Sequence, residues 1–454
     1  MTALPECVDA VVIGGGPAGA ALAGLLAARG FSCALIDDSK PRRAARLETL
    51  LPSAMEALQR CGLDEVVRNL SEPDERRHAS RWDSDEWVYR DEARSGRCID
   101  RSTFDAQLRE WARARGAHVV EDATARVSDA VLGIVEIASS TDVRRLQAKA
   151  IAVASGRVAK LDTRIARLSE SGPATAALAF DLQHDSSAKR CDAAVAAARE
   201  GWAWRIGDQL GGGMCVVVVD DDAEGGVRAA CQRVLRESMP EFAAQCGDLL
   251  GAVRANVQLR EPVGSVFLLG DAAAGLDPLA SQGTEKALVG AENALLAIAA
   301  ALVDPSLRDA AIACHARWER DLFHAHQKTC ASFYARVARH AAQPFWQRRS
   351  AIEQAKVPMP ARLVRTTSVA EHPVLERRGS TLERSVGYGR DLASARVRIG
   401  RVALEPLLSA FAEPRSVEDG IARTGQDARV FPLGTAAVRA AITDAISLGL
   451  LTEC

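Results

Sequence analysis

Apolar positions along the chain come in two patterns, short unbroken runs and helix-spaced stripes, and the two alternate from the start. Val11, Val12 and Ile13 form a short apolar strand. Ala20 to Ala28 follows as an alanine- and leucine-rich helix stopped at Gly30, and Cys33 to Ile36 is a second strand. Strand, helix and strand in that order predict a parallel α/β unit. Leu47 to Leu63 predicts a helix that opens near Pro52 and stops at Gly62. Arg76 to Arg97 is polar, with Trp82, Trp87 and Tyr89 in an alternating stretch. It reads either as strands of a second, substrate-facing sheet or as a plain aromatic-bearing strand. In Arg101 to Gly116, Phe104, Leu108 and Trp111 recur at helical spacing. Val119 and Val120 resume a strand, Val127 to Ile137 and Arg144 to Ala150 suggest a small hairpin, and Ala150 to Arg157 is a parallel strand running into Gly156.

The second half changes character. Trp202, Trp204 and Ile206 alternate, and Met214 to Val219 is a strongly apolar strand ending in Asp220, Asp221 and Asp222. Val227 to Met239 is a helix and Ser265 to Leu269 a last core strand. A turn containing Pro278, Gln282 and Gly283 leads into a helix from Thr284 to Ala301. Beyond Arg308 the pattern is mainly helical, with a joint at Pro358 and Pro360. The stretch after Val357 is mixed and reads as a lid or a partner surface.

Composition narrows the function only a little. A chain of 454 residues is enough for two or three domains. A formal net charge of -2 gives no bulk attraction for nucleic acid. Eleven cysteines without a C-x-x-C pair read as reduced and mostly structural. No secretory signal precedes Val8, and apolar stretches such as Val289 to Val303 are broken by glutamate and asparagine and look too short to span a bilayer. The expectation is a soluble cytoplasmic enzyme that needs neither membrane nor nucleic acid.

The chemistry is concentrated at the first turn. Gly14, Gly16 and Gly19 stand between strand and helix at dinucleotide spacing, with Pro17 and Ala18 opening the helix. Gly14 permits the tight turn, Gly16 lets backbone approach a pyrophosphate, and Gly19 lets helix and strand pack closely. The helix start offers free N–H groups to the phosphates. Asp37, 18 residues after Gly19 and followed by Asp38, is placed to accept from a ribose hydroxyl. Asp271, at the end of a core strand after Gly270, is placed to accept from a ligand hydroxyl, or else caps a helix. The helix from Thr284 puts partial positive charge at its start. No metal site is expected. Consecutive carboxylates at Asp220 to Asp222 point to opposite faces of a strand, and His324 and His326, two apart on a helix, do not share a face.

Four blocks in order resemble the FAD-binding branch that includes aromatic-ring monooxygenases, flavin halogenases and geranylgeranyl reductases. They are Gly14 to Gly19 with Asp37; Arg101 with Phe104 and Leu108; Ala154-Ser155-Gly156-Arg157, similar to D-A-T-G-R with alanine and serine as departures; and Gly270-Asp271 through Asp277-Pro278 to Gly283. Glu48-Thr49-Leu50-Leu51-Pro52 resembles the G-E-x-L-P segment of halogenases and related reductases, with Leu47 in place of the glycine. Glu48 there either orients substrate or caps the following helix. Gly201-Trp202-Ala203-Trp204-Arg205-Ile206 resembles the halogenase G-W-x-W-x-I-P box, with Gly207 in place of proline. Halogenases use a lysine to carry oxidised halide. This chain has seven lysines and none in the helix after Glu48, which disfavours halogenation.

A narrower resemblance lies in Asp277-Pro278-Leu279-Ala280-Ser281-Gln282-Gly283 with Lys286-Ala287-Leu288, and in Pro344-Phe345-Trp346-Gln347-Arg348-Arg349. Both blocks are similar to flavoprotein tryptophan hydroxylases that mature the tryptophylquinone of quinohemoprotein amine dehydrogenase. The resemblance implies an α/β fold: a three-layer Rossmann-like FAD domain of the aromatic hydroxylase type, an inserted antiparallel-sheet substrate domain and a mainly helical C-terminal region. The implied segments are 1–75, 101–160 and 263–305 for FAD, 76–100 and 161–262 for substrate, and 306–454 at the C-terminus. The implied chemistry is oxygen insertion, twice, into a peptidyl tryptophan by way of a flavin hydroperoxide. FAD and O₂ take part, with electrons from NAD(P)H or a separate flavin reductase. An electron-rich indole needs positioning and exclusion of water more than a strong base. The partner is a protein or peptide bearing the target tryptophan. Glu48, Asp277 and Trp204 are then the catalytic candidates. Gly14, Gly16, Pro17, Ala18, Gly19, Asp37, Asp38, Arg46, Arg101, Gly156, Gly270, Asp271, Pro278, Gln282, Gly283 and Thr284 are the cofactor-binding ones.

Overall fold

The computed structural model describes residues 4–39, 47–68, 77–91, 97–157, 161–182, 193–207, 213–243, 246–351 and 359–454. Two compact units emerge, Met1–Leu295 with Trp318–Glu353, and Leu296–Arg317 with Gln354–Cys454.

The larger unit is built on a seven-stranded sheet. Its parallel part runs His118–Val120, Cys33–Ile36, Cys7–Ile13, Val143–Val153 and Val266–Leu268, side by side. Val11, Ile13, Ala34, Ile151 and Val153 are buried in one core, as short all-apolar runs covered on both faces require. The hairpin and the parallel strand expected between Val127 and Arg157 share one long strand. The first half of Val143–Val153 pairs antiparallel with Ile134–Ala138, and its second half pairs parallel with Cys7–Ile13. Leu47 to Leu63 also divides. Leu47–Leu50 is a strand paired with Arg97–Asp100, and Pro52–Arg60 is the helix. Helix Pro17–Ala28 packs on helix Arg101–Ala114 at Gly24, where a Cβ would lie 2.0 Å from the Trp111 ring.

The second sheet also has seven strands, in the order Cys246–Arg254, Thr175–Leu182, Gly213–Asp220, Gly201–Gly207, Ala193–Ala198, Arg77–Arg81 and Val88–Asp91. Its alternation sorts side chains to two faces. Cys215, Val217 and Val219 pack with helix Val227–Ser238, and Trp202, Ile206, Met214 and Val216 pack with Tyr334, Phe345 and Trp346. Trp82 belongs to the second cluster, with its ring 5.9 Å from Trp202 and 5.4 Å from Trp346.

Past residue 359 the second unit mixes a hairpin, Ala370–Arg378 with Thr381–Gly389, and the helices Leu404–Ala410, Val417–Thr424 and Gly434–Ser447. Leu363, Leu404, Leu407, Phe411, Ile421 and Ile442 form its core. The helix expected from Thr284 runs Gly283–Val303, 21 residues, and is long and apolar enough to cross a membrane by length and composition alone. Its length therefore does not exclude a span, as the shorter sequence stretch suggested. Most of its apolar window is buried within the protein, as in a core helix.

Candidate flavin site

The glycine turns, Asp37 and Asp271 line the carboxyl edge of the parallel strands, where open α/β sheets bind ligands. Asp37 follows Cys33–Ile36, Gly14 follows Cys7–Ile13, Ala154 follows Val143–Val153, and Gly270 closely follows Val266–Leu268. Three strand spacings, about 14 Å, separate the first from the last. That row is long enough to carry the two ends of a dinucleotide.

The loop has the shape such a ligand needs. Gly14 has φ +108°, and a Cβ on it would lie 2.5 Å from the Ala154 carbonyl oxygen. A Cβ on Gly19 would lie 1.9 Å from the Gly14 carbonyl oxygen, whereas one on Gly16 meets nothing within 4 Å. Helix Pro17–Ala28 has no side-chain cap at Gly16 and no acid in its first turn. Its first N–H groups therefore present an uncompensated partial positive charge. The Ser155 hydroxyl is buried beside this turn without a hydrogen-bond partner. These features fit a pyrophosphate over Gly16. Gly270, at φ +55°, brings its Cα against Ala18, where a Cβ would stand 3.0 Å from the Ala18 Cβ, so Asp271 reaches the same helix start.

The structure adds Arg109, which the sequence did not single out. Asp37 Oδ1 accepts the Gly15 N–H at 2.8 Å, and the Arg109 guanidinium lies 3.7 Å from Oδ2. Arg109 also bonds Glu121 at 2.8 Å. Its only sequence signal is its place two turns after Arg101 on one helix. Arg157 donates to Asp271 at 2.9 Å and to the Leu276 carbonyl at 2.7 Å, which fixes the Asp271 turn.

Glu48, Arg101 and Thr284 come together. Arg101 is buried at the first turn of its helix and donates to Glu48 at 2.5 Å and to Asp105 at 2.8 Å. The Thr284 hydroxyl donates to the other Glu48 oxygen at 2.6 Å. Burial works against the Arg101 charge, but the Glu48 and Asp105 carboxylates outweigh it and raise its pKa further. Glu48 thus ties strand Leu47–Leu50 to the start of helix Gly283–Val303. Ser53 repeats the tie, donating to Glu285 at 2.6 Å.

Pro278, Gln282 and Gly283 lie on the loop before that helix, and Ser281 sits there in the left-handed region at φ +50°. Asp277 caps the loop's first turn by accepting the Leu279 N–H at 2.9 Å. Lys286 is buried. It donates to the Gly270 carbonyl and to the Ala274 carbonyl at 2.7 Å, and pairs with Glu319 at 3.2 Å. Trp204 is half-buried on the face of its strand that carries Trp202, packed at the margin of that aromatic cluster. Gly156, with φ +74°, and Asp38 adjoin the row. Arg46 lies outside the described residues.

The other motifs make structural contacts. Asp220 bonds Arg348 at 2.6 Å and Arg349 at 2.7 Å, and Arg349 stacks on Phe345. The Trp346 ring N–H reaches the Ala198 carbonyl at 3.0 Å. His324 pairs with Glu170, whereas His326 is buried, and burial together with the Lys286 and Arg157 charges holds its pKa down at about 4. Among the described residues no group of three His, Cys, Asp or Glu has the spacing to hold a metal.

The tryptophan halogenase family model matches residues 74–373, about two thirds of the chain. The chain belongs to the tryptophan halogenase family. It is therefore an FAD-dependent enzyme of the flavin halogenase and monooxygenase kind. Among solved structures it is similar to QhpG, described as a peptidyl tryptophan dihydroxylase essential for tryptophylquinone cofactor biogenesis. The two are 23% identical, with 98% of this chain and 99% of that one covered and a TM-score of 0.69. The myxobacterial chondrochloren halogenase CndH is 21% identical over 76% of this chain and 86% of its own, with a TM-score of 0.65. The flavin-dependent halogenase CmlS is 18% identical over 98% and 96%, with a TM-score of 0.64. At these identities the likeness concerns the fold. No curated protein matches the sequence.

Proposed function

We propose that this protein is an FAD-dependent monooxygenase that hydroxylates, twice, a tryptophan indole in a partner protein during biogenesis of a cysteine tryptophylquinone. The carrying observation is the state of Lys286. A halide-carrying lysine needs a free amine, and this one is held by two carbonyls and a carboxylate. The other described lysines lie elsewhere, with Lys149 exposed beside Asp9 and Lys328 exposed on a helix. The family match alone fits the alternative equally well, so a flavin-dependent hydroxylase or halogenase of a free small aromatic molecule is the competing reading.

The flavin, once bound and reduced by NAD(P)H or a separate reductase, supplies activated oxygen from O₂. The chain's own part is to bind and orient. Gly14, Gly16 and Gly19, with the helix start at Pro17 and Ala18, hold the pyrophosphate. Asp37 and Asp271 would accept from the two sugar-like ends, with Asp38 and Gly156 beside them. Gln282, Gly283 and Thr284 present backbone and the helix start to the ring, where partial positive charge stabilises an electron-rich flavin. Glu48, neutralised by Arg101, holds that helix start rather than moving a proton. Trp204, on the half-buried margin of the substrate sheet, orients the incoming indole.

The test is purification under gentle conditions, FAD loading and incubation with reductant, O₂ and a candidate tryptophan-bearing peptide. Peptide mass should rise by one and then two oxygens. Halide incorporation, with no added oxygen, would move the assignment to halogenase.

A further inference from the structure

Asp277 opens the flavin-facing loop and is only 7% exposed. Besides the Leu279 N–H it has, among the described residues, one hydrogen-bond partner from far along the chain. The Tyr334 hydroxyl lies 2.9 Å from Oδ2 and 3.1 Å from Oδ1. The Tyr334 oxygen accepts in turn from the Trp202 ring N–H at 3.2 Å. Trp202 stands in the substrate sheet, Tyr334 at the end of helix Arg308–Ala335, and Asp277 on the loop. An indole N–H only donates, so the tyrosine proton must point at the carboxylate. Burial and the Asp277 charge raise the Tyr334 pKa well above its ordinary value, so that proton stays in place.

We propose that Tyr334, backed by Trp202, is a positioning residue that orients the Asp277 carboxyl group by donating to it and thereby keeps the Pro278–Gly283 loop in its cofactor-facing form. This rests on the proposed function in one respect, that the loop meets the flavin. The groups facing Asp277 are the Leu279 N–H, Tyr334, Arg349 and Arg157, all favouring the carboxylate against burial, with Cys330 beside Tyr334. Burial still wins, and the Asp277 pKa is raised. Removing the hydroxyl deletes a charge-assisted bond inside a desolvated site. Asp277 then takes up a proton at higher pH, and as a neutral acid it caps the loop less well.

Tyr334→Phe keeps the ring, with its packing on Trp82, Phe345 and Trp346, and removes only the oxygen. FAD affinity, read by flavin fluorescence as a function of pH, should begin to weaken at a higher pH for Tyr334→Phe than for the wild type, because losing the donor raises the Asp277 pKa further. For Tyr334→Phe it should approach wild type at the alkaline end and weaken by about tenfold toward the acid end. Asp277→Asn should be weak at every pH. A Tyr334→Phe protein that matches wild type throughout, or is weakened equally at every pH, overturns the proposal. A second arm needs no flavin. Urea midpoints of the apo single and double variants should show coupling between the two positions that is larger above the Asp277 titration than below it, and absent or pH-independent coupling overturns the proposal. If wild type itself takes up no FAD, the proposed function fails and this cycle alone decides.

Discussion

At the scale of single residues, a methyl group separates the glycines of the phosphate loop by role. Gly19→Ala forces a Cβ to 1.9 Å from backbone oxygen, so the apo protein itself should lose about 1–3 kcal/mol. Gly16→Ala meets open space at φ -73°, so apo stability should stay within about 1 kcal/mol while FAD uptake is lost. Thermal melts of both apo proteins, paired with FAD titration, check this. A Gly16→Ala protein that binds FAD normally removes the pyrophosphate from that position. Arg101→Met leaves Glu48 and Asp105 without their shared cation, and the loss should be about 3 kcal/mol by urea unfolding. Arg101→Lys keeps the charge without the fork and should fall between. The glycines, Asp37 and Arg101 were legible in the sequence because their roles depend on local backbone. Arg109 and Tyr334 were not, because their partners lie on other elements. Tyr334 meets Asp277 across 57 residues of sequence, and no periodicity records such a meeting.

Among elements, the helix Arg308–Ala335 carries the loop's supports on one side. Glu319, Phe323, His326, Cys330 and Tyr334 are all buried and recur at helical spacing. Glu319 reaches Lys286, and Lys286 reaches the turn at Gly270 and Ala274. Lys286→Met strands Glu319 and two carbonyls, and should cost about 3 kcal/mol or more with loss of FAD. In the native wild type the Lys286 amine should resist an amine-reactive label that modifies the exposed Lys149 and Lys328, as peptide mapping would show. Ready labelling of Lys286 would reopen the halogenase reading. Here the sequence showed an element without its purpose. Pro344 to Arg349 stood out as a block, yet its work is to clamp a short helix to Asp220 and Ala198. Trp202 and Trp204 were visibly on one face, but alternation alone does not say which one is covered.

The whole molecule shows the same boundary between local and distant causes. The nucleotide-binding elements follow from short apolar runs and glycines, whereas the hairpin Ala370–Gly389 is largely exposed and polar and has no clean period-two signal. Its neighbours in the second unit close their core through contacts that no single window contains. Global stability against pH is a property of this scale too, and two buried groups of the larger unit push it in opposite directions. Asp277, with its pKa raised by burial, contributes stability below about pH 4 that is lost as pH rises through its folded value. His326, lowered from 6.5 to about 4, contributes stability above pH 6.5 that is lost as pH falls toward 4, because the unfolded chain takes up the proton first. The full span is worth about 3 kcal/mol, of which about 2 should appear between pH 6.5 and 5. His326→Gln removes the titration while keeping a polar side chain beside Cys330. Urea midpoints of wild type and variant should therefore converge as pH falls from 7 to 5, with the wild type losing more. Parallel curves would mean that His326 takes up its proton in the folded protein as readily as in the unfolded chain, and that burial, Lys286 and Arg157 do not exclude its charge.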